Sequence, residues 1–148
     1  MSSILPLGRT MNFGRNASAG TTRVALRDCS GIGFLVDTPA AASTLTVTEQ
    51  TAATGGTSQA IAGGLTAGSG AFVFTQVSGV WTRQTTGIAA NVVTVSGTPD
   101  LLYVWVPQGL LSDGFAWLVG AHSAKITTYV LGDLDVSRGP ASLRNYAA

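Results

Sequence analysis

The sequence predicts an all-β protein: an antiparallel β-sandwich or jelly-roll-like barrel with irregular N- and C-terminal arms. Short segments that alternate polar and apolar residues recur at the roughly 8–12-residue spacing of sandwich strands. Glycine, proline and small polar residues punctuate them, with 19 glycines and 5 prolines in 148 residues. No segment holds a helical period beyond one turn; only Gln108–Ser112 suits a short helical turn.

The first 20 residues, MSSILPLGRTMNFGRNASAG, show no sustained period and contain Pro6, Gly8, Gly14 and Gly20. They read as an arm. The arm nevertheless carries Ile4, Leu5, Leu7, Met11 and Phe13, apolar residues that a solvated tail does not need. From Thr22 the strand pattern begins. Arg23–Arg27 alternates, and Gly33–Asp37 follows and stops before Pro39. Thr44–Glu49 is the clearest alternation, with Leu45 and Val47 on one face. Ala53–Gly64 reads as a loop with a weak strand near Gln59–Ile61. Ala71–Val77 and Val80–Gln84 flank Ser78-Gly79, a two-residue hairpin signal. Asn91–Val95 is next. Leu101–Val106 is apolar on both faces, as a central strand is, and Pro107 ends it. Phe115–Gly120 and Ile126–Leu131 complete about nine strands. Phe34, Phe74, Trp81, Tyr103, Trp105, Phe115 and Trp117 are expected to supply much of the core. The division is an arm over 1–21, a β-sandwich over 22–133 and a tail over 134–148.

A chain of 148 residues is one domain and buries roughly 70% of its unfolded surface, so its core requires no staple. With one cysteine, Cys29, and one histidine, His122, neither an internal disulfide nor a Cys/His metal cluster is expected. Cys29 is expected to be a small buried or half-buried residue. Met1–Arg15 has no apolar leader core, and no stretch approaches the roughly 20 apolar residues of a membrane-spanning helix. Neither a secretory leader nor a membrane partner is expected, and the Asn16-Ala17-Ser18 sequon is discounted accordingly.

Charged residues make up 10% of the chain, against about 25% in ordinary domains. So little charge suits a surface largely covered in an assembly. The charge is also uneven. Residues 1–27 hold Arg9, Arg15, Arg23 and Arg27 and no acid; the seven acids all lie in 28–135, where Arg83 and Lys125 are the other charges; the tail adds Arg138 and Arg144. The basic residues are few, widely spaced and without interleaved aromatic platforms, which disfavours nucleic acid. An acidic protein surface is the partner they suit.

The residues give little support to catalysis. His122 has Ser123, Asp113 and Asp133 near it in sequence, but no Gly-x-Ser-x-Gly elbow occurs. Asp133 and Asp135 end the last strand and suit turn chemistry better than a calcium loop or a glycosidase pair. Neither a phosphate-binding loop nor a dinucleotide fingerprint is present. No cofactor, metal site or catalytic residue is expected.

Several segments carry a resemblance. They are Leu26-Arg27-Asp28-Cys29-Ser30-Gly31-Ile32-Gly33-Phe34, Thr44-Leu45-Thr46-Val47-Thr48-Glu49-Gln50 leading to Gly55-Gly56-Thr57, Asp113-Gly114-Phe115-Ala116-Trp117, and Tyr129-Val130-Leu131-Gly132-Asp133. Together they resemble the small capsid decoration, or cement, proteins of tailed bacteriophages, over residues 24–133 and through generic strand-turn motifs. The resemblance implies a structural virion protein on the outer capsid surface. It would bind the major capsid protein, bridge or stabilise capsomers, and associate with itself as a homotrimer. The apolar-studded N-terminal arm and the basic tail Val136–Ala148 depart from that pattern. On this reading the arms are the capsid interface. Ile4, Leu5, Leu7 and Phe13 fill grooves, while Arg9, Arg15, Arg138 and Arg144 meet acidic rims. Two alternatives stand beside it. One is a carbohydrate- or receptor-binding module of a fibre, with Trp81 or Trp105 as an exposed sugar platform. The other is a tail or connector protein, or a single-jelly-roll shell protein.

Overall fold

The computed structural model describes residues 10–16, 20–26, 29–37, 39, 42–66, 69–95, 99–123 and 128–134, with 10–16 and 128–134 described by their backbone alone. It contains twelve strands among these residues and no α-helix. They are β1 Thr10–Asn16, β2 Gly20–Ala25, β3 Cys29–Asp37, β4 Thr44–Gln50, β5 Ser58–Ala60, β6 Phe72–Val77, β7 Val80–Arg83, β8 Ile88–Ala89, β9 Val92–Thr94, β10 Leu101–Pro107, β11 Trp117–His122 and β12 Thr128–Leu134. One 3-10 turn, Gln108–Leu110, follows β10 where a single helical turn is expected.

Two antiparallel sheets pack face to face without closing into a barrel. The first runs β1-β12-β3-β10-β6-β7; the second runs β2-β11-β4-β9-β8, with β5 also on β4. The first sheet therefore ends in two edges, β1 and β7. The sandwich half of the expectation holds.

Side-chain alternation sorts each strand into a core face and an outer face. On the first sheet Ile32, Phe34 and Val36 of β3, Leu102, Val104 and Val106 of β10, and Val73 of β6 are buried against the second sheet. Their counterparts are Val24, Leu45, Val47, Val93 and Leu118, all 2% exposed or less. Each such side chain contributes roughly 1.5–3 kcal/mol on burial, before the entropy of ordering the chain is subtracted. On β11 the Phe34 ring fills the space beside Gly120: a Cβ there would lie 2.7 Å from it. Leu101–Val106 is central, lying between β3 and β6. Its two-faced apolar pattern arises because Tyr103 and Trp105, on the outer face, are also buried.

The structure corrects several expectations. The segment 1–21 is not wholly irregular. β1 lies inside it and pairs with β12, and β2 starts at Gly20. The ladder shifts register between Asn12 and Gly14, so Phe13 occupies a bulge. A bulge breaks the period-2 alternation, which hides the strand from a pattern search. The last strand runs one residue past 133, to Leu134. Phe115 is half-buried in a turn before β11, and Trp117 is half-buried. Trp81 is no core residue at all; it is 45% exposed. Cys29 is fully buried.

Candidate interaction surface

The buried polar groups with described partners brace the fold. Glu49 stands on the core face of β4, completely buried, opposite Leu118 of β11. Its carboxylate accepts a hydrogen bond from Gln59 Nε2 at 2.6 Å and one from the Ser112 N–H at 2.7 Å. One side chain thus ties the short strand β5 and the loop after the 3-10 turn onto β4. His122 is 6% exposed on the core side of β11, opposite Leu45. Its neighbour Ser123 accepts the Thr44 N–H at 2.8 Å through its hydroxyl, which fastens the end of β11 to the start of β4. Asp113 is exposed in the turn before β11.

The exposed apolar groups lie elsewhere. Val77, Val80 and Trp81 are the exposed large hydrophobics of the described residues, at 55%, 66% and 45%. All three belong to the β6–β7 hairpin. The local sequence explains its form. Val77 and Val80 face each other across Ser78 and Gly79, whose φ angles are 49° and 79°. Two left-handed residues in a two-residue loop make the turn that matches strand twist, and glycine adopts that conformation without strain. The Ser78 N–H donates to an Asp100 carboxylate oxygen at 2.7 Å, which holds the turn against the start of β10. Val77 and Val80 stand on the face that is core elsewhere in the sheet. Their exposure shows that this end of the hairpin overhangs the opposing sheet.

The outer face of the same hairpin is aromatic. Cross-strand partners place Trp81 beside Gln76 and Arg83 beside Phe74. The Arg83 guanidinium lies over the Phe72 ring, 4.9 Å from its centroid, and Phe72 and Phe74 stand 6.4 Å apart. Tyr103 and Trp105 continue this face on β10, opposite Phe74 and Phe72. They are 5% and 8% exposed. The tyrosine ring lies over Gly33, where a Cβ would come within 2.6 Å of it. Of the two tryptophans weighed as a sugar platform, Trp81 is accessible and Trp105 is not.

Of the expected capsid-interface residues, Ile4, Leu5, Leu7, Arg9, Arg138 and Arg144 lie outside the described residues. Phe13 and Arg15 lie on β1, at the bulge and opposite Tyr129. The backbone supplies one relation that the sequence does not. Thr10 is the direct partner of Asp133, so residues 1–9 and 135–148 join the body at one corner. That corner belongs to the β1 edge, at the other end of the sheet from β7. The sequence reading puts Trp81 in the core and, in the fibre alternative, on an exposed platform; the structure places it on the edge hairpin.

No family model matches the chain, and searches of curated proteins and of solved structures find no match either.

Proposed function

We propose that this chain is a structural protein that binds other protein surfaces, and specifically that it decorates the outside of a bacteriophage capsid. The pairing of Thr10 with Asp133 carries this reading, because it lets residues 1–9 and 135–148 act as one bipartite attachment point. Those segments hold Ile4, Leu5, Leu7, Arg9, Arg138 and Arg144, with Asp135 as their acid. Two tethers leaving one corner raise each other's effective concentration at a shared target, so modest contacts combine into lasting attachment. The low charge of the chain, the open sandwich and the decoration-protein resemblance support the same reading. The partner is the major capsid protein, at the capsid surface of the virion, and the resemblance implies a homotrimer.

The test is to locate and count the chain on purified particles by cryo-electron microscopy and mass spectrometry. Many copies spread over the shell are expected. A single ring at one vertex would make it a connector instead, and absence from particles would end the proposal.

A second reading has one observation in its favour. Trp81 presents its ring beside Gln76 on a rigid sheet, which suits stacking against a sugar with an amide to bond its hydroxyls. Binding on a glycan array that disappears in Trp81→Ala would favour a carbohydrate-binding module.

A further inference from the structure

We infer that β7 is a self-pairing edge, through which two copies of this chain join their first sheets about a two-fold axis centred on Thr82. Hydrogen-bond directions in the hairpin come first. Val77 and Val80 flank the two-residue turn, Thr75 pairs with Thr82, and the Gln84 N–H donates to the Val73 carbonyl at 2.8 Å. Alternate residues of a strand direct their backbone groups to opposite sides. Val80, Thr82 and Gln84 therefore point theirs at β6, and Trp81 and Arg83 point theirs away from the sheet. β7 is the last strand in its sheet, and all four of its residues are exposed. The strand is short and carries Arg83, but it has no proline, no lysine and no bulge, three of the devices that blunt an edge.

The occupant follows from which residues a second β7 would bring together. Outward groups at 81 and 83 permit three short two-fold registers. One sets Arg83 against Arg83 of the other copy and is opposed by like charge. One sets Trp81 against Trp81 and leaves each Arg83 opposite Gly79. The third sets Trp81 against Arg83 twice, with Thr82 facing Thr82 between them. In this register each guanidinium, already over Phe72 on its own sheet, also meets a tryptophan ring, the aromatic that attracts cations best. It uses all four outward N–H and C=O pairs and puts no two charges of one sign together. Val77 and Val80, left bare beyond the opposing sheet, lie beside this seam. Antiparallel edge pairing is isologous and closes after two copies, so a three-fold assembly would use another surface. The inference is independent of the capsid reading, since the attachment corner is at the other end of the sheet.

Engineered cysteines in the full chain test the register. Residues facing each other at such a centre hold their Cβ atoms roughly 4.5–5.5 Å apart. Thr82→Cys should give a disulfide-linked dimer under mild oxidation, and Trp81→Cys should not. The unaltered chain, whose Cys29 is buried, is the control. Arg83→Pro removes an outward N–H without touching a bond to β6. It should shift light-scattering mass from dimer to monomer while circular dichroism and the melting temperature of the monomer persist. Cross-linking through Trp81→Cys alone would overturn the assigned register. A monomer at tens of micromolar, with no cross-link from either cysteine, would overturn the self-pairing itself. Loss of the dimer on deleting residues 1–9 would make a neighbour's arm the occupant and overturn it as well.

Discussion

At the scale of the residue, two positions concentrate the demands of the fold. Gly120 is one, because the Phe34 ring fills the space a Cβ would need. Gly120→Ala should destabilise the protein by about 1–3 kcal/mol, the usual cost of overpacking. Denaturant titration should show that loss, and Phe34→Leu should recover part of it in the double variant, since the two residues share one contact. Glu49 is the other. The alternation that sets Leu45 and Val47 on one face sets Glu49 on it too, and the carboxylate is fully buried. What the sequence does not disclose is the Gln59 amide and the Ser112 N–H that satisfy it, brought from 10 and 63 residues away. Glu49→Ala strands both donors in the interior and should cost about 3 kcal/mol. Glu49→Gln keeps one acceptor oxygen and should cost about half as much. Equal losses for the two would mean that both acceptor oxygens, rather than packing, make Glu49 necessary, because glutamine fills the same space.

At the scale of the element, the β6–β7 hairpin is where sequence and structure part company most instructively. The turn was legible: Ser78-Gly79 between two alternating runs specifies a tight hairpin, and both residues have positive φ. The burial was not. Trp81 sits in a strand with the composition of a core strand, and whether such a strand is central or terminal depends on pairings far along the chain. β10 was recognisable as central because it is apolar on both faces; β7 has no such mark. β1 escaped for a local reason, the bulge at Phe13 that puts its pattern out of phase. Beyond the β6–β10 ladder, the hairpin's turn is held by the Asp100 carboxylate, which accepts the Ser78 N–H. Asp100→Ala should therefore destabilise the protein by about 1 kcal/mol and speed amide exchange within Phe72–Arg83 beyond the rest of the sheet. Ser78→Asn should act oppositely. Asparagine tolerates the left-handed conformation better than serine does, so a gain of up to about 1 kcal/mol is expected from the same titration.

At the scale of the whole molecule, the arrangement of edges organises the proposed function. The first sheet closes on neither side, and its two ends differ in kind. At one, β1 and β12 pair Thr10 with Asp133; at the other, β7 offers an edge with exposed valines and an aromatic face. The charge asymmetry of the arms was plain in the sequence, but their common origin depends on the β1–β12 ladder. On the proposed capsid reading, this geometry separates attachment from folding in a way that truncations can measure. Removing residues 1–9 leaves β1 whole, and removing 135–148 leaves β12 whole. Both variants should keep the melting temperature within a few degrees of the full chain and lose capsid occupancy. Rising salt should weaken occupancy of the full chain more than that of either truncation, which has lost part of its basic charge, because charge interactions are screened over about 10 Å at 0.1 M. Removing residues 1–20 is a different operation. It strips β1 from the sheet, leaves β12 as a raw edge, and should lower stability and promote aggregation. Occupancy lost only in the 1–20 deletion, and retained without 1–9 and without 135–148, would assign binding to the sandwich body and exclude the arms as the attachment point.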